Sequence, residues 1–173
     1  NDGLAEERLK ALKETSEILK KYQKLLNEYQ PQPPSVGVFF EPSNYYLEWA
    51  RYEKGDMAMG SLIGYLKVLE QLNIPYEVVE SNHLDVLKKL KFLILPFPLV
   101  ISDKVSEILE EFVRKGGTIL CEGDLGAFDT LGFYRYPGKD RKLAYKLGIY
   151  SDIERQLIEK EKFTLKIEDK VFQ

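Results

Sequence analysis

The sequence predicts an α/β fold in which helices cover both faces of a parallel β-sheet, forming a three-layer sandwich. Four short apolar runs, at residues 36–40, 76–79, 92–96 and 118–121, alternate with stretches of helical periodicity. The first run is continuously apolar rather than alternating, which is typical of a central parallel strand buried on both faces. A length of 173 residues with 44% hydrophobic content is enough for one well-buried core.

The charge balance excludes whole classes of partner. Twenty-five basic and 28 acidic residues give a net charge of −3, so the chain has no basic field for nucleic acid or anionic lipid. The longest apolar stretch, residues 92–101, is about half the ~20 residues of a membrane helix and contains two prolines. One cysteine and one histidine make neither a disulfide nor a Cys/His zinc site. We expect a cytoplasmic protein without a cofactor.

The first predicted element is a long helix over residues 4–29, because apolar residues recur there three, four or seven positions apart. The residues on this apolar face are Ala5, Leu12, Leu19, Tyr22, Leu26 and Tyr29. Pro31, Pro33 and Pro34 end the helix, since proline lacks the amide donor. Residues 1–34 are therefore a helix and a proline linker. The helix is either the last element of a preceding domain or a layer packed on this chain's own sheet.

Residues 35–150 are predicted to form the α/β domain, and its first half contains two strands and one helix. Strand one, residues 36–40, is followed by an expected loop over residues 41–56. Strand two covers residues 76–79. The helix between them has apolar residues at helical spacing, namely Met59, Leu62, Ile63, Leu66 and Leu69.

The second half of the domain repeats the alternation. A short helix at residues 84–90 leads to strand three, residues 92–96. Ser102 can cap the next helix, which Gly116-Gly117 ends before strand four at residues 118–121. The residues of that helix that should face inward are Val105, Ile108, Leu109, Phe112 and Val113.

Right-handed crossovers between these parallel strands predict the spatial order 2-1-3-4. This order is the topology of flavodoxin-like and class I glutamine amidotransferase-like domains. A further helix is expected over residues 139–147. Residues 151–173 are predicted to begin a C-terminal β-segment, because the alternating run Phe163, Leu165, Ile167 is followed by Val171.

Cys121 ends strand four, where a catalytic nucleophile could stand on a sharp turn. Such a turn needs a small residue two positions earlier, and this sequence has Ile119 there. No histidine follows Cys121, and His83 would lie three strand spacings away, roughly 14 Å, which is too far to activate the thiol. We interpret Cys121 as a small buried hydrophobic residue and His83 as a loop or capping residue.

Four acidic residues follow predicted strands and should approach one edge of the sheet. Glu41 follows strand one, Glu80 follows strand two, and Glu122 and Asp124 follow strand four. Strands one and four would be about 10 Å apart, so Glu41 and Asp124 are near the separation of an inverting glycosidase pair, and their oxygens would also suit Mg²⁺. The alternative, which we favour, is that these acids are solvated and cap helix amino termini, without a metal.

The segment after strand one is unusually aromatic for a surface position. Its aromatic residues are Tyr45, Tyr46, Trp49 and Tyr52. Aromatic side chains with polar tips suit subunit interfaces and the rims of ligand sites. We expect an interface or ligand-rim role, and local packing over the sheet is the alternative.

Several segments together resemble the middle, trimerisation-type domain of glycoside hydrolase family 42 β-galactosidases. Strand one with its following aromatics is one such segment, and residues 72–79, Leu-Asn-Ile-Pro-Tyr-Glu-Val-Val, are another. Residues 92–96 match the next strand. Residues 112–119 look like that family's helix, double glycine and strand, and residues 146–149 look like its closing helix. The resemblance covers about residues 35–149.

The resemblance implies a multidomain parent. The helix at residues 4–29 would end an upstream (β/α)₈ barrel, and Phe163 onward would begin a downstream β-domain. The parent would be a homo-oligomer, a trimer in that family, acting on a carbohydrate. The family's catalytic glutamates belong to the barrel, and no position here matches them.

The sequence therefore favours a non-catalytic α/β domain of a glycosidase, which holds subunits together and lends aromatic residues to the rim of a neighbour's active site. Two alternatives stay open. One is a free-standing amidotransferase-like hydrolase that uses Cys121 or strand-end carboxylates with a metal. The other is a small-molecule sensor domain that binds its ligand at the strand ends.

Overall fold

The computed structural model describes residues 5–29 and 32–149, and the backbone of residues 165–167 and 170–172. The chain divides into two compact units, Asn1–Pro33 and Pro34–Gln173. In the first unit, helix α1 covers Glu6–Glu28, as the periodicity predicted. Glu6 and Glu7 lie in its first turn, where negative charge complements the helix dipole. Which element covers its apolar face stays a prediction.

The second unit contains a four-stranded parallel sheet. Its strands are β1 (Val36–Phe40), β2 (Tyr76–Glu80), β3 (Phe92–Leu95) and β4 (Thr118–Cys121). Their order is β2-β1-β3-β4, so the predicted strand order is confirmed. Val36 of β1 is in register with Tyr76 on one side and with Phe92 on the other, and Phe92 is in register with Thr118.

Hydrophobic clusters cover both faces of this sheet, as three layers require. Phe39 and Leu93 belong to the larger cluster, together with residues of the helix after β3. Val38 and Ile94, their neighbours along the strands, face the opposite way and join a second cluster with Leu69. This alternation follows from the period of two along a strand. Apolar residues therefore point to both faces of β1 and β3, which explains their continuously apolar sequence.

The helices of the second unit are α2 (Pro42–Tyr52), α3 (Asp56–Gln71), α4 (Asp103–Arg114) and α5 (Lys142–Lys146), with a 3-10 helix at Leu84–Lys89. The predicted cap of α4 is confirmed, because the Ser102 hydroxyl accepts a hydrogen bond from the Val105 N–H at 3.2 Å. The helix predicted over residues 139–147 begins later, at Lys142.

The prediction of a loop over residues 41–56 was wrong, because most of this segment is helix α2. Pro42 stands in the first turn, where its missing N–H costs nothing, and the Glu41 carboxylate accepts a hydrogen bond from the Ser43 N–H at 3.1 Å. The helix ends at Glu53, which adopts a left-handed conformation with φ of 55°.

The C-terminal segment contains two antiparallel strands, β5 (Leu165–Ile167) and β6 (Lys170–Phe172). Leu165 is in register with Phe172. The predicted strand is confirmed over Leu165–Ile167, and it pairs with β6. Phe163 lies outside the described residues.

Candidate functional site

A crevice opens at the carboxyl edge of the sheet, where ligands of open α/β sheets bind. It is lined by residues that follow β3, such as Phe97 and Leu99, and by residues that follow β4. Its volume is about 910 Å³. Helix α2 supplies one wall, and the residues after β3 and β4 supply the others. The lining side chains that matter below are Glu48, Arg51, Tyr52, Asp124, Phe128 and Phe133.

Two buried polar residues fix helix α2 in the wall of this crevice. The Asn44 side-chain oxygen Oδ1 accepts a hydrogen bond from the Val100 N–H at 2.6 Å, which ties α2 to the segment after β3. The Glu48 carboxylate accepts hydrogen bonds from the N–H groups of Met57 and Ala58, both at 2.8 Å. Glu48 thus caps the amino terminus of α3 from a neighbouring helix. Sequence reasoning missed both residues, although an acid on one helix just before the start of another was a usable signal.

The predicted aromatic residues all lie on α2 and are all exposed. Tyr45 is 37% exposed, Tyr46 65%, and Trp49 and Tyr52 each 56%. They do not act alike, because Tyr52 lines the crevice while the Tyr45 ring packs over Gly55. Tyr46 stands edge-on to Tyr45, with ring centroids 5.9 Å apart. The structure thus places aromatic side chains on the open face of α2 and at the rim of the crevice.

A second aromatic group faces α2 from the segment after β4. Phe128, Tyr134 and Tyr136 form two edge-to-face pairs, each with centroids 5.4 Å apart. Phe133, beside them, is 68% exposed and lines the crevice. The Asp129 carboxylate shapes the turn by accepting hydrogen bonds from the N–H groups of Leu131 and Phe133, both at 2.9 Å. Sequence reasoning missed this group because its members come together only through the turn.

Arg141 anchors the segment that contains Tyr134 and Arg135. The side chain is only 3% exposed, and its guanidinium donates to the Tyr134 hydroxyl at 2.8 Å and to the Arg135 carbonyl at 2.9 Å. It also pairs with the Asp124 carboxylate at 3.4 Å. Asp124 has φ of 64°, a left-handed conformation that aspartate tolerates better than most residues. This network keeps the crevice wall in place.

The structure does not assemble the four predicted acids into a common site. Glu41 caps α2, and Glu80 is exposed at the end of β2. Asp124 pairs with Arg141 and lines the crevice, whereas Glu41 lines a separate, much smaller cavity. Within the described residues, no three or more His, Cys, Asp or Glu side chains are arranged to hold a metal ion. The strand-end acids therefore serve different structural roles.

Glu122, the fourth of these acids, is held between β4 and α3. Its carboxylate accepts hydrogen bonds from the Ser61 hydroxyl and from the Phe97 N–H, the latter at 3.0 Å. Burial raises the pKa of Tyr65, and the Glu122 charge and a hydrogen bond between the two side chains raise it further. The Glu122 carboxylate therefore accepts hydrogen bonds from α3 and from the segment after β3 at once, which is a structural role.

Cys121 and His83 have different surroundings in the structure. Burial raises the pKa of the Cys121 thiol, and the neighbouring Glu122 charge adds to this effect. The reactive thiolate is therefore disfavoured. His83 instead contacts the exposed Asp85 through Nε2 at 3.1 Å. It precedes the 3-10 helix without making a side-chain cap.

Comparison with known proteins shows the fold. No family model and no curated protein matches the chain. A catalytic mutant of a GH42 β-galactosidase from G. stearothermophilus is similar, with a TM-score of 0.68 and 20% identity over 92% of this chain. A β-galactosidase from Bifidobacterium adolescentis is similar over 69% of this chain, with a TM-score of 0.59 and 15% identity. One from Bacillus circulans sp. alkalophilus covers 64%, with a TM-score of 0.56 and 21% identity.

The chain spans only part of each of these structures. It covers 24% of the G. stearothermophilus chain, 57% of the B. adolescentis chain and 16% of the B. circulans chain. None of the helices in the described part of this chain is both long enough and apolar enough to span a bilayer. The fold is thus shared with a part of each of these β-galactosidase structures.

Proposed function

We propose that this chain is a non-catalytic α/β domain of a multidomain glycoside hydrolase related to the GH42 β-galactosidases. In this proposal the domain holds subunits together as a cytoplasmic homo-oligomer, a trimer by resemblance, and lends aromatic side chains to the rim of a neighbouring active site. The upstream barrel and the downstream β-domain would belong to the same parent chain. The carbohydrate substrate would be bound by the barrel.

The partial coverage of the similar structures supports a role as one domain among several. The match covers 92% of this chain but only 24% of the G. stearothermophilus β-galactosidase chain. This chain is therefore the size of one domain rather than of that whole enzyme. The state of the strand-end acids points the same way. Glu41, Glu122 and Asp124 are each bonded to a different backbone or side-chain partner, and glycosidase chemistry needs two carboxyl groups that face one glycosidic bond.

The open face of α2 is the observation that carries the oligomerisation proposal. Tyr46 and Trp49 are more than half exposed, on a helix whose other face is anchored by buried Asn44 and Glu48. Large aromatic residues held on a rigid element are typical of the centre of a protein interface. Each is expected to contribute roughly 2 kcal/mol when it is buried against a partner.

Sedimentation equilibrium of the purified chain tests this proposal. We expect reversible self-association, and we expect each of Tyr46→Ser and Trp49→Ser to weaken it about 30-fold and the double variant to weaken it several hundredfold. The matched control changes Val68 and Leu72 to serine. These residues of the α3 region are 51% and 63% exposed, but they are not on helix α2. Self-association that survives the aromatic variant, or that is absent in the unchanged chain, would contradict the proposal.

A further inference from the structure

The charges around the crevice are unequally compensated. The Glu48 carboxylate is bound by the N–H groups of Met57 and Ala58, and Asp124 is paired with Arg141. Arg51 also lines the crevice, but in the part of the chain that the structure describes it forms no ion pair with a carboxylate. The crevice therefore presents one positive charge without an internal counter-ion.

The Arg51 guanidinium is nevertheless held in a defined place. Its central carbon lies 5.0 Å from the centre of the Phe128 ring and 5.5 Å from that of the Tyr52 ring. A guanidinium over an aromatic ring is attracted by the ring's charge distribution and keeps its N–H donors available to another group. A planar fork of this kind matches the oxygens of a carboxylate or a phosphate.

The remaining walls suit a flat ring. Tyr52 and Phe133 are 56% and 68% exposed and both line the crevice, so each has aromatic surface that a ligand can contact beside Arg51. A volume of about 910 Å³ is near the upper end of the range of about 300–1,000 Å³ typical of small-molecule pockets. The crevice also lies beyond the carboxyl ends of β3 and β4, the side of the sheet on which ligands of open α/β sheets bind.

We propose that this crevice binds a small organic anion, a ring that carries a carboxylate or phosphate group, with Arg51 as the counter-ion and Tyr52 and Phe133 against the ring. The two sources of such a ligand are an acidic or phosphorylated monosaccharide and a nucleoside monophosphate. The inference goes beyond the structural role proposed above and does not depend on the parent being a glycosidase.

Isothermal titration calorimetry of the whole 173-residue chain tests the assignment. The charged probes are galacturonate, galactose 6-phosphate and adenosine monophosphate, and the neutral probes are galactose and adenosine. We expect at least one charged probe to bind at least about tenfold more tightly than its neutral counterpart, because a hydrogen-bonded charge pair outweighs a neutral contact. The charged probe that binds identifies the source.

Variants then identify the residues that bind. Arg51→Gln should weaken binding of the charged probe about tenfold or more, and Arg51→Lys should restore only part of it, because lysine keeps the charge but not the fork. Phe133→Ala should also weaken binding without removing the charge preference. The matched control is Arg114→Gln, since Arg114 is exposed at the end of α4 that leads into the amino end of β4. It should leave binding unchanged.

The contradicting results are equally specific. Binding of galactose or adenosine as tight as that of the charged probes, undiminished binding in folded Arg51→Gln, or no heat from any charged probe at millimolar concentration would each overturn the assignment. If Arg51→Gln fails to fold, judged by its melting temperature, Phe133→Ala decides the outcome. Self-association through Tyr46 and Trp49 is measured separately, so failure of one proposal leaves the other intact.

Discussion

Replacing Glu48 by glutamine tests whether one buried carboxylate holds α2 and α3 together. Glu48 is 2% exposed, and its two oxygens accept hydrogen bonds from Met57 N–H and Ala58 N–H at 2.8 Å. Glutamine has nearly the same shape but only one acceptor oxygen. Its amide NH₂ group would therefore face one of the two N–H donors, which has no other partner nearby once α3 has formed.

The expected cost follows from these two bonds. A hydrogen bond to a charged group contributes about 1.5–3 kcal/mol, and a buried donor left without an acceptor costs about 1–3 kcal/mol. Loss of one bond and of the charge on the other should lower the free energy of unfolding by about 2–4 kcal/mol. With a urea slope of about 2 kcal/mol/M, the unfolding midpoint should fall by about 1–2 M.

Urea denaturation followed by circular dichroism measures this change. The matched control is Glu107→Gln, which removes an exposed carboxylate on α4 and should alter the free energy of unfolding by no more than about 0.5 kcal/mol. If the two variants unfold at the same urea concentration, the cap does not stabilise the junction of α2 and α3, and the account of how the crevice wall is held is wrong.

Two further predictions concern Gly55 and Cys121. A β-carbon at Gly55 would lie 2.0 Å from Cε2 of Tyr45, so Gly55→Ala should displace that ring and destabilise the chain by about 1–3 kcal/mol. A β-carbon at Gly60 would have no atom within 4 Å, so Gly60→Ala should stabilise the chain by about 0.5–1 kcal/mol. Thermal melts measure both changes. Because burial and Glu122 raise the pKa of Cys121, its alkylation by iodoacetamide at neutral pH should be slower than that of an unstructured cysteine peptide and should accelerate as pH rises above the ordinary cysteine pKa. Glu122→Gln should lower that pKa and speed the reaction at neutral pH.

Each of these predictions has a clear opposite. Equal melting temperatures for the Gly55 and Gly60 variants would show that Tyr45 is not packed as described. Alkylation of Cys121 at neutral pH as fast as that of the peptide would show an accessible thiolate. That result would revive the hydrolase alternative for this residue.

The strand order could be predicted because it depends on local patterns and a general rule. Continuous apolar runs located β1 and β3, and the preference for right-handed crossovers gave order 2-1-3-4 without knowledge of any contact. The capping serine of α4 was equally local, since Ser102 bonds a residue three positions away. Helix α2 could also have been predicted, because its aromatic residues recur at helical spacing after an acid and a proline.

The crevice could not be predicted in the same way because long-range contacts build it. Asn44 contacts a backbone group 56 positions away, and Arg141 reaches Asp124 across 17 positions. Such side chains look like ordinary surface residues in the sequence, and only the fold buries them. The acids after the strands were predicted to approach one another, but Glu41, Glu122 and Asp124 each bind a nearer donor, because exposed N–H groups and buried cations compete for carboxylates. The aromatic residues of α2 were singled out by composition, and their role stays a prediction.

Turnover by the purified chain is the most direct test of the claim that it has no chemistry of its own. The account predicts no hydrolysis of nitrophenyl glycosides, esters or amides above the buffer rate, with or without Mg²⁺, and no difference between the unchanged chain and Cys121→Ser or Glu122→Gln. Hydrolysis at an enzymic rate that is lost in either variant would contradict the account.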